Sequence, residues 1–170
     1  ARLFRDAGIP DGVFNFLPGR GSVLGDALVG HPAVSVIAFT GSREIGTRVL
    51  QQAAAPRDGQ RTLKRVVCEL GGKNAIIVDD DADLDEAVTH VLASAFSFQG
   101  QKCSACSRVI ALEAVYARLV ERLVEAARSL RIGPAEDPAN ELGPVIDGAA
   151  REKILGYIEQ GEKEGKLLYK

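Results

Sequence analysis

Val34-Ser-Val-Ile-Ala-Phe39-Thr-Gly-Ser42-Arg-Glu-Ile-Gly46 decides the fold class of this chain. Residues 34–39 make a nearly continuous apolar run rich in β-branched side chains, the pattern of a strand buried on both faces. Thr40-Gly41 ends the run. Ser42 then offers a hydroxyl to the first free N–H groups of a helix that extends to about Ala55.

Outward from this segment, strand and helix patterns keep alternating. Upstream, Val13-Phe-Asn-Phe-Leu17 reads as a short strand, Pro18-Gly-Arg-Gly21 as a turn and residues 22–29 as a helix. Downstream, residues 56–60 are a loop, and residues 63–70 and 74–78 are two strands split by Gly71-Gly72. Asp83-Leu-Asp-Glu86 opens a helix as a capping-box analogue. Its apolar face is Leu84, Ala87, Val88, Val91, Leu92 and Ala95, and Gly100 breaks the pattern. Residues 107–112 are a strand, residues 115–130 a strongly amphipathic helix, and residues 148–161 a last helix. Leu167-Leu-Tyr-Lys170 reads as the start of another strand. The alternation predicts an α/β fold with mostly parallel sheets.

Hydrophobic residues make up 46% and charged residues 26% of the 170, which is the balance of a globular chain. The net charge of −2 and the absence of a basic stripe speak against a nucleic-acid partner. The longest apolar runs are far too short to cross a bilayer. Three cysteines, two of them in Cys103-Ser-Ala-Cys106, fit a reduced intracellular setting better than a disulfide framework. With no Met, the chain reads as an internal fragment of a longer polypeptide.

Four places carry candidate chemistry, and each also has a plain structural reading. Gly19-x-Gly21-x-x-x-Gly25 is a loosened form of the dinucleotide-binding spacing, or a simple turn into a helix. The Gly41-Ser42 turn, with Ile45 and Gly46 behind it, could hold a pyrophosphate at a helix N-terminus, or merely cap the helix. It is not a P-loop, since no Lys follows Gly46. Glu69, at the end of an apolar strand and followed by two glycines, is either a general base or a solvated strand-end carboxylate. Cys103, just past Gly100, is a candidate nucleophile. Cys103 and Cys106 also have the spacing of a zinc half-site or a redox dithiol. Only Cys68, His31 and His90 remain as further ligands, none in a paired motif, which disfavours zinc. A thiol redox module and a non-catalytic α/β interaction module stay open as readings of another class.

Taken in order, five segments resemble the aldehyde dehydrogenase family. They are Ala7-Gly-Ile-Pro-Asp-Gly-Val-Phe-Asn15, Phe39-Thr-Gly-Ser42 with Gly46, Glu69-Leu-Gly-Gly-Lys-Asn74, Gly100-Gln-Lys-Cys103 and Leu142-Gly-Pro144. The match runs over essentially all 170 residues. Cys103 follows Glu69 by 34 residues, the separation this family keeps between its base and its nucleophile.

The resemblance implies an aldehyde dehydrogenase-like α/β fold. Residues 1–70 would be the C-terminal part of a Rossmann-type NAD(P)-binding domain, and residues 71–170 the N-terminal part of the catalytic, thiol-bearing domain. It implies Cys103 as nucleophile and Glu69 as base. Gly21, Gly41, Ser42, Ile45, Gly46 and Leu70 would bind the cofactor, NAD with NADP as the alternative, and no metal would be needed. The Cys103 N–H and an Asn upstream of Ala1 would form the oxyanion hole. The expected partner is a small-molecule aldehyde, with no nucleic acid or membrane; the parent enzyme would be a homo-oligomer in the cytoplasm, or in the mitochondrial matrix if eukaryotic. The fragment alone is expected to be inactive.

The stretch Phe98–Arg108 and the long connection between Gly46 and Glu69 resemble, more narrowly, the branch that oxidises glutamate semialdehyde in proline catabolism. There the Ser after the nucleophile, Ser104 here, helps to hold the substrate carboxylate. Cys106 departs from many relatives, which carry a small non-thiol residue at that position, and it leaves a redox role open.

Overall fold

In the computed structural model, which describes residues 2–170, Ser42 does cap the helix that follows the apolar strand ending at Gly41. Residues up to Leu70 form one unit, and residues 71–170 a second. The first contains α1 (Arg2–Asp6), α2 (Gly21–Gly30), β1 (Val36–Gly41), α3 (Arg43–Ala54) and β2 (Arg65–Leu70). β1 and β2 are parallel neighbours joined through α3, with Val36 opposite Arg65 and Gly41 opposite Leu70. Parallel strands need such a crossover, and the Ser-capped helix provides it.

Val49 and Ala53 on α3 and Val29 on α2 are buried against Ile37, Phe39 and Val66 of the strands. The helix comes close enough that a Cβ on Gly46 would lie 2.5 Å from Cδ2 of Leu70. Arg48 of α3 pairs with Asp26 of α2, and Gln52 Nε2 donates to the Asp26 carbonyl at 2.9 Å. The apolar run at residues 34–39 predicts a strand covered on both faces. Only one face is covered within this unit: Val36 and Val67 on the other are 60% and 55% exposed.

The second unit contains β3 (Asn74–Val78), α4 (Leu84–Phe96), a 3-10 turn at Ser97–Gly100, β4 (Cys106–Ala111), α5 (Glu113–Ser129) and α6 (Gly148–Glu164). Asp83 caps α4 as its sequence predicts, accepting from the N–H groups of Asp85 and Glu86 at 2.9 and 3.3 Å. Asp147 caps α6 through the Ala150 N–H at 2.7 Å, and that helix runs three residues past Gly161. β3 and β4 are again parallel and again joined by a helix. Val78, Leu84, Val88, Val115 and Leu119 form the core, closed by Ile76, Val109 and Leu123.

Leu119 is 1% exposed, so truncating it leaves a cavity as well as losing transfer energy. Leu119→Ala is expected to destabilise the protein by about 2–5 kcal/mol, read as a shift in the urea unfolding midpoint. A midpoint equal to that of the unaltered protein would show that this core is not what holds the unit.

Two expected strands are absent. Residues 13–17 pair with no strand among the described residues, and Val13 and Phe16 are 70% and 73% exposed. Local contacts hold the segment instead: Phe14 packs on Phe4 with ring centroids 4.7 Å apart, and Asn15 Nδ2 donates to the Gly12 carbonyl at 2.8 Å. Apolar alternation makes a strand only where a neighbour completes the ladder. Residues 167–170 likewise have no regular structure. Among the described residues, no helix is long and apolar enough to cross a membrane.

Candidate active site

Because β1 and β2 are parallel, their carboxyl ends lie side by side, the edge where open α/β sheets collect ligands. Thr40 is the register partner of Glu69, and Gly41 that of Leu70. Along β2, Val66, Cys68 and Leu70 are the half-buried positions, and Glu69 falls on the exposed alternate. Its carboxylate is therefore displayed at the end of the strand.

Directly beyond β1, the Ser42 Oγ accepts from the Ile45 N–H at 3.3 Å. An α-helix leaves its first N–H groups without helical partners. Ser42 engages that of Ile45, so those of Arg43 and Glu44 remain directed at the space in front of the helix. A Cβ on Gly41 would lie 2.5 Å from Cζ of Phe39, so any larger residue here would have to displace that ring. The Ile45 side chain is 43% exposed beside this turn. Gly41, Ser42, Ile45, Gly46, Glu69 and Leu70 thus gather at one edge of the first unit. Gly21 stands apart, at the head of α2, where Arg20 gives no side-chain cap. The strand expected before its glycine loop is missing, so the strand–turn–helix of a dinucleotide fingerprint is not formed there.

In the second unit, Cys103 and Ser104 sit in the middle of a turn closed by the Ala105 N–H and the Lys102 carbonyl at 3.2 Å. Cys103 is exposed, Cys68 half-buried and Cys106 buried. The Cys106 Sγ lies 3.2 Å from the Arg108 carbonyl, and its N–H donates to Ser94 Oγ at 3.2 Å. The neighbouring cysteine is thus tied into the end of β4, while Cys103 is presented to solvent.

How the turn is presented went unread in the sequence. α4 ends at Phe96, ahead of Gly100, and three consecutive residues then take the left-handed conformation: Phe98 (φ 54°), Gln99 (φ 57°) and Gly100 (φ 69°). Glycine adopts this readily; for Phe and Gln it costs on the order of 1 kcal/mol or more each and persists only where the surroundings hold it. Here they do. Gln101 Oε1 accepts from the Ile146 N–H at 3.2 Å. The Gln99 amide, turned to suit its neighbours, donates to the Phe98 carbonyl at 3.1 Å and accepts from the Gly143 N–H at 2.9 Å. The Leu142-Gly-Pro144 segment, read only as a motif, therefore braces the approach to Cys103. On the other side, Asn74 Nδ2 donates to the Cys103 carbonyl at 2.7 Å.

The first unit thus displays a strand-end carboxylate and a Ser-capped helix start, and the second an exposed cysteine on a braced turn. The chain belongs to the aldehyde dehydrogenase family, whose model matches residues 1–170. Among its relatives, a 1-pyrroline-5-carboxylate dehydrogenase of Anoxybacillus flavithermus is 51% identical over 166 residues, 98% of this chain and 32% of the relative. A solved structure of 1-pyrroline-5-carboxylate dehydrogenase from Thermus with bound NAD superposes with a TM-score of 0.95 at 46% identity, covering 98% of this chain and 32% of that one. The structure of proline utilization A from Bdellovibrio bacteriovorus gives a TM-score of 0.96 at 52% identity over 99% of this chain and 18% of the larger protein. The chain spans about a third of the length of the curated relatives it matches.

Proposed function

We propose that this chain carries the nucleophile, the base and part of the cofactor site of an NAD(P)-dependent enzyme that oxidises glutamate γ-semialdehyde to glutamate in proline catabolism. The observation that carries this reading is the exposure of Cys103 alone among three cysteines, on a turn held from both sides. The Cys106 sulfur is buried on the Arg108 carbonyl, 3.2 Å away, and would have to leave that contact to resolve a mixed disulfide on Cys103. The bacterial relatives named 1-pyrroline-5-carboxylate dehydrogenase support the substrate, and the Thermus protein with bound NAD supports the cofactor.

On this reading, the first unit is the C-terminal part of an NAD(P)-binding domain and the second the N-terminal part of the catalytic domain. The start of α3 suits a pyrophosphate: it offers free N–H groups, a hydroxyl at Ser42, the positive end of the helix dipole and an exposed apolar Ile45 beside them. NAD, or NADP, supplies the hydride acceptor when bound.

The Cys103 sulfur, as thiolate, attacks the aldehyde carbon and forms a thiohemiacetal. The Cys103 N–H donates to the developing oxyanion, with the family's Asn as second donor. Loss of hydride leaves a thioester on Cys103. Glu69 takes a proton from water as its oxygen attacks the thioester carbon. The carboxylic acid departs and the sulfur is returned. The pairing of Glu69 with Cys103 is supported by their order and 34-residue separation, which match the family's.

Ser104, adjacent on the same turn, is assigned to the carboxylate of the substrate. Ser104→Ala is expected to lower kcat/KM for glutamate semialdehyde about 10- to 100-fold, the range for losing a hydrogen bond to a charged group. Simple aliphatic aldehydes should change less than about threefold on the same grounds. Equal losses with both substrate classes would remove Ser104 from substrate recognition.

A further inference from the structure

Asn74, the first residue of β3, meets the Cys103 turn at three points. Its Nδ2 donates to the Cys103 carbonyl at 2.7 Å and to the Ala105 carbonyl at 3.3 Å, and its own carbonyl accepts from Ser107 Oγ at 3.3 Å. These bonds lie where the β-ladder fails. Asn74 is opposite Cys106 but Ala75 is opposite Arg108, so the register shifts there and Ser107 is left over as a bulge. Bulges of this kind re-aim the chain beside functional sites. No β3 backbone partner continues the ladder to the Cys103 and Ala105 carbonyls, and the Asn74 carboxamide stands in for it. A Cβ on Gly72 would sit at ordinary contact distance from both groups, 3.5 Å from the Cys103 carbonyl oxygen and 3.6 Å from the Asn74 carboxamide.

We infer that Asn74 is a positioning residue for the nucleophile; this rests on the reading of Cys103 as the attacking thiol. By holding the Cys103 carbonyl it fixes the peptide plane between Cys103 and Ser104, and by holding the Ala105 carbonyl it fixes the far side of the turn. The direction of the Cys103 side chain follows from both. The chemistry asks for a neutral group with two N–H donors in one place, which a carboxamide provides. An aspartate there would set carboxylate oxygens against two carbonyl oxygens.

The test uses the full-length enzyme bearing this sequence, with Asn74→Ala, Asn74→Asp and Cys103→Ala. Asn74→Ala is expected to lower kcat per alkylatable Cys103 by about 10- to 100-fold, the scale of misplacing a reacting group by roughly an ångström. The KM for aldehyde and the Kd for NAD should stay within about threefold, because neither binding step uses the carboxamide. Asn74→Asp is expected to lose at least as much, and its activity relative to the unaltered enzyme should rise as pH falls and the carboxyl gains a proton to donate. A merely structural role would reduce the folded fraction without changing kcat per reactive thiol or producing that pH signature. Wild-type kcat per thiol in both Asn74 variants, with Cys103→Ala inactive, overturns the positioning role alone. Retained turnover in Cys103→Ala overturns both the nucleophile and the inference built on it.

Discussion

Cys103→Ala in the full-length enzyme is expected to abolish aldehyde-dependent NADH formation, with a loss on the order of 10⁴-fold or more, as when a covalent nucleophile is removed. Binding of NAD should persist. The proposed pyrophosphate turn at Ser42 belongs to the first unit, and its geometry is set by the α3 cap and by Leu70 against Gly46, with no contribution from the thiol. Cys106→Ser serves as the internal comparison. Cys106 is buried with its sulfur beside the Arg108 carbonyl, a site that a serine hydroxyl can occupy, so this variant should keep most of its dehydrogenase activity. Steady-state turnover, nucleotide binding by titration and the count of reactive thiols separate the two cysteines. Turnover retained in Cys103→Ala, or lost only in Cys106→Ser, contradicts the assignment.

Glu69→Gln is expected to give one rapid burst of NADH per active site and then to stall. Glutamine keeps the shape of the exposed strand-end side chain but cannot accept a proton from water, so attack by Cys103 and hydride loss proceed while thioester hydrolysis does not. Removing a general base costs on the order of 10²–10⁴ in the step it serves, and the steady-state rate should fall by that factor with the burst preserved. Stopped-flow absorbance of NADH resolves the two phases. A normal steady state rules out Glu69 as the base, and loss of the burst itself assigns Glu69 to an earlier step.

The parts legible in the sequence were those written within a few neighbouring residues. Ser42 and Asp83 cap their helices because an N-cap needs only a side-chain oxygen and the next turn. The parallel pairing of β1 with β2 and of β3 with β4 followed from strands alternating with helices. Glu69 and Cys103 stood out by residue type and spacing. The failures share one cause, which is dependence on distant partners. Residues 13–17 have the alternation of a strand but no neighbour to pair with. Phe98 and Gln99 have no intrinsic preference for the left-handed region; contacts with residues 143 and 146, more than 40 positions on, accompany it. Asn74 was visible inside Glu69-Leu-Gly-Gly-Lys-Asn74, yet it read as the start of a strand, because its bonds are to residues 29 and 31 positions later. A short polar side chain after paired glycines at a strand start was the one local signal that could have marked it.

The most direct test traps the acyl group. Full-length Glu69→Gln enzyme is mixed with NAD and glutamate semialdehyde, quenched in acid and digested with trypsin, which cuts after Lys102 and Arg108 and releases Cys103–Arg108 as one peptide. Fragmentation of that peptide distinguishes its two cysteines. The expected result is a glutamyl thioester on Cys103, formed only when NAD is present, with Cys106 and Cys68 unmodified. An acyl group on either of the other cysteines, or no acyl-enzyme despite a full burst of NADH, contradicts it.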